Sequence, residues 1–122
     1  MKPQEPTRVW FVFGCPPAKD EFVFELADPA RIEHARKILR GEEKRKIHVS
    51  GIIRKQRAAY NPAWSFDLDP ASISFFELAM ELCDAAIRHV EEHLEEVGGA
   101  FLPDNRWCPW SSRLLRELPA SN

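Results

Sequence analysis

The spacing of apolar positions changes along the chain, and each change marks an element. Val9 to Phe13 (Val-Trp-Phe-Val-Phe) is an unbroken apolar run ending at Gly14, which predicts a buried strand. Phe22, Phe24 and Leu26 then alternate with Glu21, Val23 and Glu25, the pattern of a half-buried strand returning beside the first through a long hairpin that holds Pro16 and Pro17. At Asp28-Pro29 the period becomes helical. An Asp carboxylate can accept an orphan N–H there, and proline at the first helical position loses nothing by lacking one. Ile32, Ala35, Ile38 and Leu39 keep the spacing, and Gly41 supplies the stop.

From Lys46 to Arg57 the chain is β-rich again, with Gly51 as a bulge where Ile52 and Ile53 fall side by side. A turn at Tyr60-Asn61-Pro62 leads into a strand with Trp64, Phe66 and Leu68 inward and Ser65, Asp67 and Asp69 outward. The strongest helical pattern follows, from Ser74 to Val97. Ser74 and Glu77 form a capping box, Ile73 and Leu78 a staple, and Phe75, Ala79, Leu82, Ala86, Val90, Leu94 and Val97 an apolar stripe, widened by Phe76, Met80, Cys83 and Ile87, that ends at Gly98-Gly99. Ala100 to Trp110 has no period and should lie over the core, and Ser111 or Ser112 caps a last short helix through Leu118. The expectation is one α+β domain over residues 1–122, with 1–7 and 119–122 as flexible tails. An antiparallel sheet of about four strands, in β-β-α-β-β-α order, packs against two helices.

A chain of 122 residues buries roughly two thirds of its unfolded surface, enough for a core without staples. Cys15, Cys83 and Cys108 cannot all pair, and Cys83 falls inside the predicted helix, so free thiols, a reducing compartment and the cytoplasm are expected. Nothing resembles a leader or a membrane span. The net charge of −2 hides a polarity: residues 31–57 carry ten Lys/Arg against three Glu, and residues 67–96 nine acids against Arg88 alone. Two solvated faces attracting one another, within the fold or between copies, explain this without a special partner, and the functional reading is a docking surface of one sign.

Tyr60-Asn61-Pro62-Ala63-Trp64-Ser65-Phe66-Asp67-Leu68-Asp69-Pro70, with Phe75-Phe76-Glu77, Cys83-Asp84-Ala85, the run from Val90 to Gly99, and Trp107-Cys108-Pro109-Trp110, resembles the small calmodulin-binding-protein-related domain family. The resemblance runs from about Phe22 to Leu115. It implies a partner-binding module and transfers no catalytic residue to these positions. The basic helix from Asp28 to Arg40, with Lys44, Arg45 and Lys46 behind it, has the charge of a calmodulin target. Its anchors Ile32, Ile38 and Leu39 are needed by the core, so the folded domain is expected to bind calmodulin weakly or not at all.

His89-Val90-Glu91-Glu92-His93 spells H-x-x-E-H, a zinc-peptidase motif that needs a further acidic ligand and a larger fold. Two histidines at the core margin are the simpler reading, and no metal is expected. Cys108 reads as a thiol packed between Trp107 and Trp110, and Asp67 with Asp69 as the least geometry of a carboxylate pair. Arg54-Lys55-Gln56-Arg57 beside Tyr60 and Trp64 suits a single-stranded nucleic acid, against which the pI of 6.1 weighs. Tyr60, Asn61 and Trp64, with Trp107 and Trp110, are the candidate ligand-binding residues. The reading is a non-catalytic interaction or binding module without cofactor, whose partner is a protein or a second copy. The alternative is a small enzyme or small-molecule-binding protein using that same aromatic pocket.

Overall fold

The structure, a computed structural model, describes residues 8–78 and 82–119. Strands β1 (Val9–Gly14) and β2 (Glu21–Leu26) pair antiparallel with Phe11 opposite Phe24 and Phe13 opposite Phe22. Helix α1 (Pro29–Leu39) follows as expected from Asp28-Pro29, although the Asp28 side chain makes no cap bond and only its carbonyl accepts, from Ile32 N–H at 3.0 Å. Ile32 and Ala35 are its buried face. It ends at Gly41, whose φ of +77° is the left-handed conformation that a side chain disfavours.

Strand β3 (His48–Arg54) is the axis of a second sheet and pairs antiparallel with β4 (Asp67–Leu68), β5 (Ser74–Phe76) and, further on, β8 (Arg106–Trp107). Its alternating N–H groups go to different partners: Ile52 N–H to Ser72 Oγ at 2.8 Å, Ile53 N–H to the Asn105 carbonyl at 2.8 Å. Gly51 is not a bulge. It stands in register with Trp107, and a Cβ there would lie 2.9 Å from Ile73 Cδ1 and 3.3 Å from Leu68, so its missing side chain is what lets the sheet close on its core.

The long helix expected from Ser74 to Val97 does not form, and of its stripe Ala79 and Met80 lie outside the described residues. Ser74–Phe76 is β5, because β3 offers it a ladder in which Phe75 turns inward. Leu78 and Leu82 are 72% and 82% exposed. Residues 83–86 are held extended by bonds to the C-terminal segment: Cys83 O accepts from Cys108 N–H at 2.7 Å, Ala85 O from the Trp107 indole at 2.8 Å, and Cys83 is joined to Cys108 by a disulfide with Cα atoms 5.1 Å apart. In a helix those carbonyls would point along the helix axis, out of reach of these donors. Only α2 (Ile87–Glu92) remains, with Ile87 and Val90 buried. The expectation of three unpaired thiols is corrected too, since Cys15 alone is free.

After α2 come β6 (Val97–Gly98) and β7 (Phe101–Pro103), a short parallel pair. The last segment, expected as a helix, is strand β9 (Arg113–Glu117) on the open edge of β1. Ser112 is no helix cap: its buried hydroxyl accepts from Val49 N–H at 2.8 Å and donates to Pro109 O at 2.7 Å. The molecule is therefore α+β with two main antiparallel sheets, a three-stranded sheet β2-β1-β9 and a second sheet around β3, beside the parallel β6-β7 pair, and not one sheet of four. Trp107, fully buried, joins them through rings 5.6 Å from Phe13, 5.3 Å from Phe22 and 5.5 Å from Phe66. Among the described residues no helix is long and apolar enough to cross a membrane.

Candidate functional site

The hairpin expected to turn at Tyr60-Asn61-Pro62 is a longer excursion, residues 55–66, that leaves β3 and covers the free edge of β2. Asn61 Oδ1 accepts from Val23 N–H at 3.1 Å, and the Trp64 indole donates to the Glu21 carbonyl at 2.7 Å. The two β2 groups are two residues apart and so lie on the same edge, where a further strand would otherwise pair. Arg88 lies over the Trp64 ring at 5.4 Å while its guanidinium holds Asp20 at 2.8 Å, and Glu91 accepts from Ser65 N–H at 2.7 Å. Arg57 donates to the Pro62 carbonyl and closes the excursion on itself. Asn61 and Trp64 are thus buried and their polar atoms mostly committed to this edge, Asn61 Nδ2 being the exception.

Tyr60 does something else. Its ring faces that of Trp10 at 6.3 Å, and with Ala59, Leu118 and Pro119 the two rings line a hollow of about 440 Å³. Trp10 points away from Phe11 and Phe13 because successive strand residues alternate faces. Both Trp10 Nε1 and Tyr60 Oη are sealed from water without a hydrogen-bond partner among the described residues. Burial pushes the Tyr60 phenol up to about 12, and the Asp67 and Glu25 carboxylates add to this while Arg54 opposes it. The phenol stays protonated and offers a donor. Trp10 was legible only as part of a buried strand; the alternation Trp-Phe-Val-Phe, which puts it on the other face, was the signal.

The five residues singled out in the sequence do not share one site. Trp107 is in the core with its indole spent on Ala85, and Trp110 is 45% exposed near the disulfide, its backbone N–H donating to Asp84 at 2.8 Å.

Residues 7–121 match the family model of the BP-74 N-terminal domain. The chain belongs to that family. No curated protein and no solved structure matches it. The family description names no reaction, so the chemistry of this BP-74 N-terminal domain rests on its residues.

Asp67 is not outward but buried, gripped by both nitrogens of Arg54 at 2.9 and 2.8 Å, and the bond to Asp67 raises the Arg54 pKa above its ordinary range. Asp69 instead caps the 3₁₀ turn at Pro70–Ser72 through Ala71 N–H at 3.0 Å. The two carboxylates therefore have separate structural duties. The His89 and His93 rings lie 4.4 Å apart, tilted to one another, with Phe101 perpendicular to His89 and His93 Nδ1 3.1 Å from Glu96, and among the described residues no group of three or more His, Cys, Asp or Glu is arranged to hold a metal. Cys108 is a disulfide partner, and burial pushes the Cys15 thiol up to about 11 against a hydrogen bond from Ser111, which leaves it a poor nucleophile. A second hollow, of about 500 Å³, lies at the start of α1 between Asp28, Arg31 and Asp69, but the aromatic walls and the unpaired donors belong to the first.

Proposed function

We propose that this domain is a non-catalytic binding module whose site is the Trp10–Tyr60 hollow. The reading is carried by one observation: two aromatic rings in the wall of a largely apolar hollow, whose N–H and O–H donors are buried without a partner among the described residues. Each unpaired buried polar group costs about 1–3 kcal/mol, so a ligand that turns the rings and presents an acceptor gains what the free protein forgoes. The ligand that fits is an apolar segment carrying a carbonyl. N-acetylproline methylamide is a suitable probe, titrated while the indole and amide resonances are followed by NMR. Saturable shifts at Trp10 and Tyr60, with a dissociation constant of roughly millimolar order for so small a ligand, support the reading; shifts elsewhere only, or none, overturn it.

The calmodulin reading has less support. Ile32 and Ala35 of α1 are buried, Ile38 and Leu39 pack on the same core, and Arg36 and Arg40 are engaged by Glu117, Glu33 and Glu42. Offering that helix to calmodulin exposes side chains whose burial is worth about 1.5–3 kcal/mol each. Calorimetric titration of the folded domain with calcium-loaded calmodulin is expected to give no submicromolar binding.

A further inference from the structure

At the far end of β9 from the Trp10 hollow, two arginines reach one face of β3. Six of the eleven arginines among the described residues lie within ion-pair distance of a carboxylate: Arg36, Arg40, Arg45, Arg54, Arg88 and Arg116. Arg106 and Arg113 are among the five that do not. Pairing of β8 with β3 brings Arg106 to Ser50, where Nη1 donates to the hydroxyl at 3.0 Å. Arg113, at the start of β9, brings Nη1 to the His48 ring, 3.4 and 3.5 Å from its two nitrogens.

His48 and Ser50 are two residues apart and share a strand face, so the residues that the two guanidinium groups contact have Cα atoms about 7 Å apart. His48 Nδ1 lies 2.9 Å from the Ser112 carbonyl, which can only accept, so Nδ1 carries the hydrogen there. Phe76, opposite His48 in register, supports the ring at 5.5 Å. One guanidinium group bonded to Ser50 and one resting against His48, each with N–H donors unspent, thus reach the same face of β3, and neither lies within ion-pair distance of a carboxylate of the described residues. Asp104 lines a hollow with Arg106 but lies outside ion-pair distance, and Glu77, next to Phe76, is held by Arg45 at 2.8 Å.

Like charges collected on one sheet face repel, and the arrangement is relieved by an anion that accepts from both forks. We infer that this face binds a phosphate group, held between the Arg106 and Arg113 guanidinium groups beside the His48 ring. A tetrahedral oxyanion presents several acceptor oxygens, and guanidinium is the side chain best matched to it.

The test is an NMR titration of the intact protein with inorganic phosphate at low ionic strength. Saturable shifts are expected at the amides of His48, Ser50, Arg106 and Arg113. R106Q and R113Q should each weaken binding by at least about fivefold, R113K by less because it keeps the charge and loses the fork, and K55Q, an exposed loop cation, by under about twofold. The spectra themselves report whether each variant is folded. Phosphoserine and adenosine monophosphate titrated in parallel separate an amino-acid carrier from a nucleotide carrier, and either preference agrees with a phosphate site. Equal weakening by K55Q, shifts scattered over all basic residues, or no saturation by about 50 mM phosphate, well beyond what two charge-assisted forks should need, overturns it.

Discussion

Tyr60 is the chain's only tyrosine, so its ionisation is directly observable by the ultraviolet absorbance of the phenolate. Burial raises it from the ordinary 10.0 to about 12. A native value above the unfolded one means that the folded protein keeps its proton longer, so the contribution to stability is complete below about pH 10 and is lost as pH climbs toward 12. The native titration is expected near 12 and the denatured one near 10; coincident curves would place the phenol in water. The same burial explains why Tyr60→Phe should leave stability unchanged or raise it by about 1 kcal/mol, because it removes a group that has no partner to lose. Denaturant unfolding checks this, and a loss of more than about 1 kcal/mol would reveal a hydrogen bond to the hydroxyl.

At the scale of elements, the segment after β5 is where pattern and structure part. Leu82 sits in a flawless helical stripe yet is 82% exposed, so Leu82→Ser should change stability by no more than about 0.5 kcal/mol, as surface substitutions do. A stripe residue in a core helix would cost about 2–5 kcal/mol. The Cys83–Cys108 bridge closes a 25-residue separation, and its double replacement by serine should cost about 3 kcal/mol by the chain-entropy argument. Thiol counting on protein denatured without reductant is expected to find Cys15 alone.

Over the whole molecule, Trp107 is the residue on which the two sheets depend. It touches Phe13, Phe22 and Phe66 from one side of the fold to the other, so Trp107→Ala should cost about 3–5 kcal/mol, read from chemical denaturation, and should loosen both sheets together. The charge polarity of the sequence resolves inside the fold: Arg45 to Glu77 and Arg54 to Asp67 join the basic stretch to the acidic one. Arg106 and Arg113 are two of the five described arginines that the fold leaves without a carboxylate.

Strands β1 and β2, helix α1, the start of β3 and the inward set Trp64, Phe66 and Leu68 were determined by the sequence itself, because each is formed by neighbours in the chain or by a period its own residues carry. The α+β class followed from them. Tertiary structure alone decided the rest. Residues 74–97 hold a helical period, but Phe75 gains more from the ladder of β3, and Ala85 and Cys83 give their carbonyls to Trp107 and Cys108 more than 20 residues away. Arg113–Glu117 carries no strand alternation that a window could detect and becomes β9 only because β1 has a free edge. Trp10 faces Tyr60 across 50 positions of chain, and Arg106 and Arg113 reach Ser50 and His48 through contacts more than 50 positions distant in sequence. Local period records which side of an element is apolar, whereas the partner that receives it is chosen by contacts the local pattern does not encode.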